Sequence, residues 1–383
     1  MKVIVSGYLG KKITGIGRTF IETFLEVATQ YPEVQIVIYT NIDNKQLMGC
    51  KLNNFSNVNI KTYKVSKACS IKNLLWHQIV FPFMVLKEKA DIVYIPNFTL
   101  LLFKVRPTVV VIHDLIEFRI KNKFSKLRVY YRKIAVPLTA KIADFIITVS
   151  ENSKNDIIEL CDVNKEKITV IYNAINRNLF NAQSNARDIA LLDDRNIKKP
   201  YILFVGTVDH PGKNAYSVIK AFEVLKDRFN IKQMLYIVGM PGKGHEIIEH
   251  AIESSDYKNE IGMLGYVDDD LLAAMYRNAD CFVFPSLYEG FGIPPLEAMS
   301  CGCPSIVAST SSLLEVVGDE DMTVDPFDIE ELVKKINDVL FNEAIKKRYK
   351  EYGLKQALKF SWEKTAKKTM DVIKKTKAAH EIR

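Results

Sequence analysis

Short apolar runs of four to six residues alternate with longer segments whose apolar positions recur every three or four residues, along the whole chain. A buried strand needs a continuous apolar run and a covering helix needs one apolar face, so this alternation predicts βαβ units and parallel sheets. In the first half, strands are predicted at 3–6, 35–39, 58–61, 92–95, 109–112, 145–149 and 168–172, with helices at 16–30, 74–87, 125–143 and 151–160. Ser150 is placed to cap the last of these, because its hydroxyl can accept an orphan N–H of the first turn. The stretch 173–200 is polar, rich in Asn, Asp and Arg, and weakly periodic, which predicts a connection between two domains. A second series follows, with strands at 201–205, 234–238, 263–264, 281–284, 305–307 and 323–324. Its helices are predicted at 216–227, 246–253, 270–278, 294–300 and 329–341. From Glu343 onward the chain is Lys-rich and helical, with no further strand.

Composition narrows this picture. A chain of 383 residues suggests about two domains, and 48% hydrophobic with 26% charged residues is ordinary globular usage. No apolar stretch reaches the ~18 residues of a membrane span, and the first residues read as a buried strand rather than a signal peptide. Six scattered cysteines fit a reduced, cytosolic setting, and the lone Cys301-x-Cys303 lacks the partner pair a metal site needs. The net charge of +8 permits an anionic partner without choosing one. From Arg119 to Lys133, basic side chains interleave with Phe118, Phe124, Tyr130 and Tyr131. That pattern fits either a solvated helix face or an anionic membrane surface. No nucleic-acid module is recognisable. Trp76, Ile79, Phe81, Phe83 and Met84 read as core packing before membrane anchor.

The densest chemistry lies at 286–298. An apolar run ends at Pro285, a Gly-rich loop follows, and Pro294 and Pro295 open a helix; Glu289 and Glu297 flank the turn. Gly290 and Gly292 permit close backbone approach and φ values that other residues resist. Unpaired N–H groups at a helix start attract anions. The segment therefore predicts a diphosphate cradle with a carboxylate on each side, and Glu297 is expected in the helix's first turn.

The phrase Glu289-Gly290-Phe291-Gly292-Ile293-Pro294-Pro295-Leu296-Glu297-Ala298-Met299 resembles the retaining nucleotide-sugar glycosyltransferases of family 4, which have the GT-B fold. Gly15-Ile16-Gly17-Arg18, His113-Asp114, Ser150-Glu151-Asn152-Ser153, Gly206-Thr207 with Lys213-Asn214, and Phe360-Ser361-Trp362-Glu363 resemble the family's other landmarks, in its order. The resemblance thus covers nearly the whole chain. It implies an α/β GT-B architecture of two Rossmann-like domains facing across a cleft. Residues 1–180 would bind acceptor, 181–360 would bind the nucleotide sugar, and the helix in 361–383 would cross back to the N-terminal domain.

The resemblance also implies site roles. Glu289 would meet the donor sugar and Glu297 the ribose hydroxyls. N–H groups of Phe291, Gly292 and Ile293, in the loop with Gly290, would hold phosphate or sugar oxygens. Lys213 would neutralise the leaving diphosphate, His113 would bond a hydroxyl of the transferred sugar, and Tyr266 would lie by the base. Gly15, Gly17 and Arg18 would face the diphosphate; as a dinucleotide fingerprint they fail, since Phe20 replaces the third glycine. Many relatives carry arginine where this chain has Thr207, so one cationic clamp is missing and Arg18 is a candidate replacement. Tyr94, Pro96, Asn97 and Phe98 could shape an acceptor pocket.

Together these imply a retaining, metal-independent hexosyl- or deoxyhexosyltransferase with no cofactor beyond its nucleoside diphosphate sugar substrate. The expected setting is capsule, O-antigen (lipopolysaccharide) or exopolysaccharide assembly. Its acceptor would be a glycan or lipid-linked glycan, at the cytoplasmic face of the membrane. Two rivals stand beside this reading: another GT-B enzyme such as a sugar-phosphate-accepting synthase, and a non-catalytic nucleotide-sugar or glycan-binding subunit, supported by the missing arginine.

Overall fold

The computed structural model describes residues 1–7, 15–63, 74–120, 123–183 and 185–381. It divides into two compact units: one of residues 1–118, 124–174 and 361–383, the other of residues 119–123 and 175–360.

The first unit holds seven parallel strands: β1 (Lys2–Ser6), β2 (Gln35–Thr40), β3 (Val58–Thr62), β4 (Ile92–Ile95), β5 (Thr108–Val111), β6 (Phe145–Thr148) and β7 (Ile168–Val170). Their order is β3-β2-β1-β4-β5-β6-β7, so the order reverses between β1 and β4. Both faces are covered, which is why these strands read as continuous apolar runs. On one face the helix Gly15–Gln30 contributes Phe20, Phe24 and Val27 to a core shared with Met370 and Ile373 of the helix Trp362–Glu381. The chain's last helix therefore belongs to the first unit. On the other face Trp76, Phe81, Val136 and Ile157 pack with β4, β5 and β6.

In the second unit six parallel strands follow the same plan. They are β8 (Tyr201–Val205), β9 (Met234–Val238), β10 (Ile261–Gly265), β11 (Cys281–Phe284), β12 (Ser305–Ala308) and β13 (Thr323–Val324), ordered β10-β9-β8-β11-β12-β13. Here the reversal lies between β8 and β11. Tyr201, Phe204, Phe282 and Phe284 are fully buried in this sheet's core.

Some elements differ from the sequence expectation. Residues 173–200, expected as an irregular connection, carry the helix Arg187–Asp194. A helix Ile42–Leu52 was hidden by its polar composition, and the Lys-rich C-terminal segment is two helices, Glu343–Ala357 and Trp362–Glu381. The helix expected at 74–87 contains a π-helical turn, Trp76–Val80, before Phe81–Lys87. Its side chains split: Trp76 stacks on Tyr63 at 3.8 Å and Phe81 is buried, but Ile79 and Phe83 are 65% and 62% exposed. Reading all five as core was therefore wrong for those two.

Candidate active site

Parallel α/β sheets bind ligands beyond the C-terminal strand ends where strand order reverses. In the second unit that point lies between β8 and β11, and the loops leaving these strands carry Lys213 and Glu289. The loops are tied together. The Leu287 N–H donates to the Gly212 carbonyl at 2.9 Å, and Ser286 Oγ lies 3.3 Å from the same oxygen. The Lys213 N–H donates to Asp209 Oδ1 at 2.7 Å, which fixes the backbone just ahead of the side chain. The Lys213 ammonium then donates to Glu289 Oε1, forming an ion pair of two mostly buried side chains. Ser286 Oγ–H donates to the same carboxylate oxygen at 2.7 Å.

The Glu289 backbone is held as firmly as its side chain. Its N–H donates to Ser311 Oγ at 2.9 Å, and its carbonyl accepts from Ser312 Oγ–H at 3.0 Å. The Phe291 carbonyl lies 2.9 Å from the same Ser312 Oγ, so the one hydroxyl proton is shared between the two carbonyls. Ser311 has φ of 52°, a left-handed conformation uncommon for a non-glycine residue and one that concentrates at functional sites. Sequence reasoning placed Ser286 in the motif without giving it a role, and passed over Ser311 and Ser312. The Ser-Thr-Ser-Ser run at 309–312 was the available signal, since short hydroxyl side chains are what a loop uses to fix a neighbouring backbone.

The helix after Glu289 runs Ile293–Ser300 with Gly292 as its N-cap. Of the two loop glycines, Gly292 takes the left-handed backbone (φ 109°); Gly290 does not. The expectation of a helix-start anion site needs correction. Pro294 and Pro295 bring no N–H, so Ile293 is the only one of the first three helical residues with an amide hydrogen. Donors toward an anion would come from the loop amides, not from a full first turn. Glu297 is also displaced from its expected place: it is the fifth helical residue, in the second turn, and 5% exposed. The Tyr276 hydroxyl donates to its Oε2 at 3.3 Å. Burial, and next the Glu297 charge, push the Tyr276 phenol well above its usual range, so it stays a donor.

Thr207 is exposed just past β8, and its carbonyl accepts the Asp209 N–H at 2.9 Å. Tyr266 is exposed after Gly265 (φ 65°) at the end of β10, the edge strand, with β9 between it and β8.

Four of the candidate residues belong to the first unit. Gly15, Gly17 and Arg18 form the first turn of the helix Gly15–Gln30 itself, with Gly17 buried and Arg18 exposed. His113 lies just past β5, and its Nε2–H donates to the Pro96 carbonyl at 2.9 Å. Burial drives the imidazole down to about 4; the Pro96 bond opposes this and the Arg132 charge adds to it. His113 is therefore neutral near pH 7, with its proton on Nε2. A cavity of about 20 Å³, lined among others by Tyr94, Asn173 and Thr365, adjoins it. Asp114 caps the following turn, accepting the Ile116 N–H at 3.2 Å. Ser150 caps its helix as expected, accepting the Ser153 N–H at 3.0 Å. Tyr94 packs edge-on against Phe24 in the core, and Arg132 lies over Phe98.

Comparison with known proteins agrees with this architecture. Residues 14–179 match the model of Glycosyltransferase Family 4 and residues 193–356 that of Glycosyl transferases group 1. The chain is 31% identical to O-antigen chain mannosyltransferase B of Escherichia coli, over 76% of each protein. It is 27% identical to O-antigen chain mannosyltransferase RfbU of Salmonella typhimurium, over 84% of this chain and 85% of that one. Among solved structures, Anabaena Alr3699/HepE in complex with UDP and glucose superposes with a TM-score of 0.74 at 18% identity, covering 98% of this chain and all of that one. WaaG, a glycosyltransferase involved in lipopolysaccharide biosynthesis, superposes with a TM-score of 0.72 at 16% identity, over 97% of this chain and 99% of that one. With two doubly wound parallel sheets and both domain models matched in sequence, the chain belongs to the family 4, group 1 glycosyltransferases of GT-B fold.

Proposed function

We propose that this glycosyltransferase moves a hexose, with mannose the first candidate, from a nucleoside diphosphate sugar to a hydroxyl of a glycan or lipid-linked glycan. The setting is assembly of a bacterial surface polysaccharide at the cytoplasmic face of the membrane. The names of the O-antigen mannosyltransferase relatives support the sugar and the setting. One observation carries the chemistry: a Lys213–Glu289 pair held by cross-linked loops at the switch point between β8 and β11.

In this reading the donor diphosphate lies against the amides of Gly290, Phe291, Gly292 and Ile293, with Glu297 on the ribose and Tyr266 near the base. Lys213 exchanges part of its contact with Glu289 for the phosphate whose charge grows as the C1–O bond breaks. Glu289 then faces the positive charge developing on the sugar. The acceptor oxygen bonds to C1 on the face the phosphate leaves, and its proton passes to the departing phosphate oxygen. Configuration at C1 is retained. Lys213 and the loop amides supply the positive charge, so no metal ion is required. His113, neutral, offers Nδ1 as an acceptor for a hydroxyl of the transferred sugar. Arg18 supplies the cation that Thr207 does not.

The test is turnover of GDP- and UDP-sugars, with the anomer of the product read by NMR, for wild type, Glu289→Ala and Lys213→Ala. Loss of turnover in both variants with a retained anomer in wild type is expected. Tight nucleotide-sugar binding without turnover by wild type would overturn the reading in favour of a binding subunit, and an inverted anomer would overturn the displacement.

A further inference from the structure

We infer that the first unit docks on an anionic lipid bilayer through one continuous face built by three segments: residues 74–87, the loop 99–107 and the helix Lys126–Ile142. This extends the lipid-linked acceptor reading above by naming the surface that meets the membrane.

The helix Lys126–Ile142 has two apolar sides. Ala135, Val136 and Ala140 are buried against the sheet. Leu127, Tyr130, Tyr131, Ile134 and Leu138 all lie exposed, Leu127 at 79%. Their spacing of three, one, three and four places them on a single stripe of the helix, pointing away from the core. Residues 74–87 do the same: Leu75, Ile79, Phe83 and Leu86 are exposed at helical spacing while Trp76, Phe81 and Val85 face inward. The loop 99–107 joins the two stripes. The Gln78 side chain donates to the Leu100 carbonyl at 2.6 Å and accepts the Leu102 N–H at 3.2 Å. Thr139 Oγ1 accepts the Leu101 N–H at 3.0 Å and donates to the Thr99 carbonyl at 3.2 Å. Leu102 and Phe103 of this loop are exposed as well.

Charge selects the occupant. None of the three segments contains an Asp or Glu, whereas they carry Lys87, Lys104, Arg106, Lys126, Lys133 and Lys141 besides two arginines. Those two, Arg128 and Arg132, both pair with the buried Glu117, Arg132 from a mostly buried position and Arg128 from an exposed one. Lys104 and Lys141 pair with Asp144 and Asp162 at the edge of this face, which leaves Lys87, Lys126 and Lys133 as its cationic excess. An exposed apolar face with such an excess is complementary to acyl chains beneath anionic headgroups. A protein partner of ordinary mixed charge has no such match.

The experiment is co-sedimentation of the full chain with vesicles of phosphatidylcholine alone and of phosphatidylcholine mixed with phosphatidylglycerol. Wild type should bind only the mixed vesicles, and more weakly at high salt. Ile79→Ser with Phe83→Ser, and separately Leu127→Ser with Tyr130→Ser, should each weaken binding roughly tenfold or more, since each removes two inserting side chains. Phe327→Ser with Phe341→Ser, equally exposed in the second unit, should change nothing. Binding that is absent, or unmoved by the first two pairs, overturns the proposal. So does a wild-type dimer in sedimentation that those pairs convert to monomer. Donor turnover in solution is measured alongside: vesicle binding with no turnover leaves the surface standing and removes the enzymatic reading.

Discussion

Acidification tests the placement of His113 most directly. Folding takes its imidazole from an ordinary value of 6.5 to about 4, chiefly by burial. The unfolded chain therefore takes up the proton first as pH falls. Stability is retained above roughly pH 7, is lost between 6.5 and 4, and changes no further below that. A gap of roughly 2.5 units is worth about 3 kcal/mol in full, and about 2 kcal/mol of it is gone by pH 5. Other groups add to the acid slope of the whole protein, so the comparison needed is with His113→Gln, which removes this one titration. Native-state hydrogen exchange over residues 108–118 at pH 7.5, 6 and 5 reads the local opening free energy. Wild type should lose about 2 kcal/mol more than the variant across that range. Equal slopes, or a His113 Cε1 proton titrating near 6.5 by NMR, would refute the assignment of a buried, neutral imidazole.

Gly239→Ala is expected to be severe, because a Cβ there would sit 1.8 Å from the Gly206 carbonyl oxygen, backbone that cannot give way. A loss of at least about 3 kcal/mol in urea unfolding of the second unit is expected. Tyr276→Phe strips the hydroxyl donor from the buried Glu297 carboxylate; roughly 2 kcal/mol of stability and a weaker calorimetric affinity for nucleotide sugar should follow. Arg277→Met leaves Asp188, which it grips at 2.6 and 2.7 Å, as an uncompensated buried charge. Its cost should approach 3–5 kcal/mol and should shrink when Asp188→Asn is added. Little change in the single variant would mean that water reaches this pair.

Strands were legible because both faces of each sheet are covered, which makes residues such as Ile92–Ile95 and Cys281–Phe284 uniformly apolar. Helices with a strong apolar stripe, such as Ile329–Phe341, were equally clear. Ile42–Leu52 and Arg187–Asp194 escaped because polar residues dominate both segments, although Met48, Leu52 and Leu192 are buried. Asn41 accepts the Asn44 N–H in one, and Asp188 binds Arg277 in the other. At the site, Glu289 and Lys213 could be found from motif and loop position. Their alignment could not, since it depends on Gly212, Ser286 and Ser311, whose contacts span up to 74 positions in sequence. Pro294 and Pro295 pointed correctly to a helix start but concealed that they remove the donors an anion would use. The exposure of Ile79 and Phe83 was invisible to periodicity, because an apolar stripe does not state whether it faces a sheet or the outside.

The first unit takes its last core residues, Ala366, Met370 and Ile373, from the far end of the polypeptide. During synthesis its sheet must therefore wait, its groove beside Phe24 unfilled, while the whole of residues 175–360 is made and can already fold. The half that begins first is completed last. A gene fragment stopping near residue 174 would yield a sticky, incomplete body, whereas the same fragment with residues 361–381 spliced behind it has all the parts of a self-sufficient one.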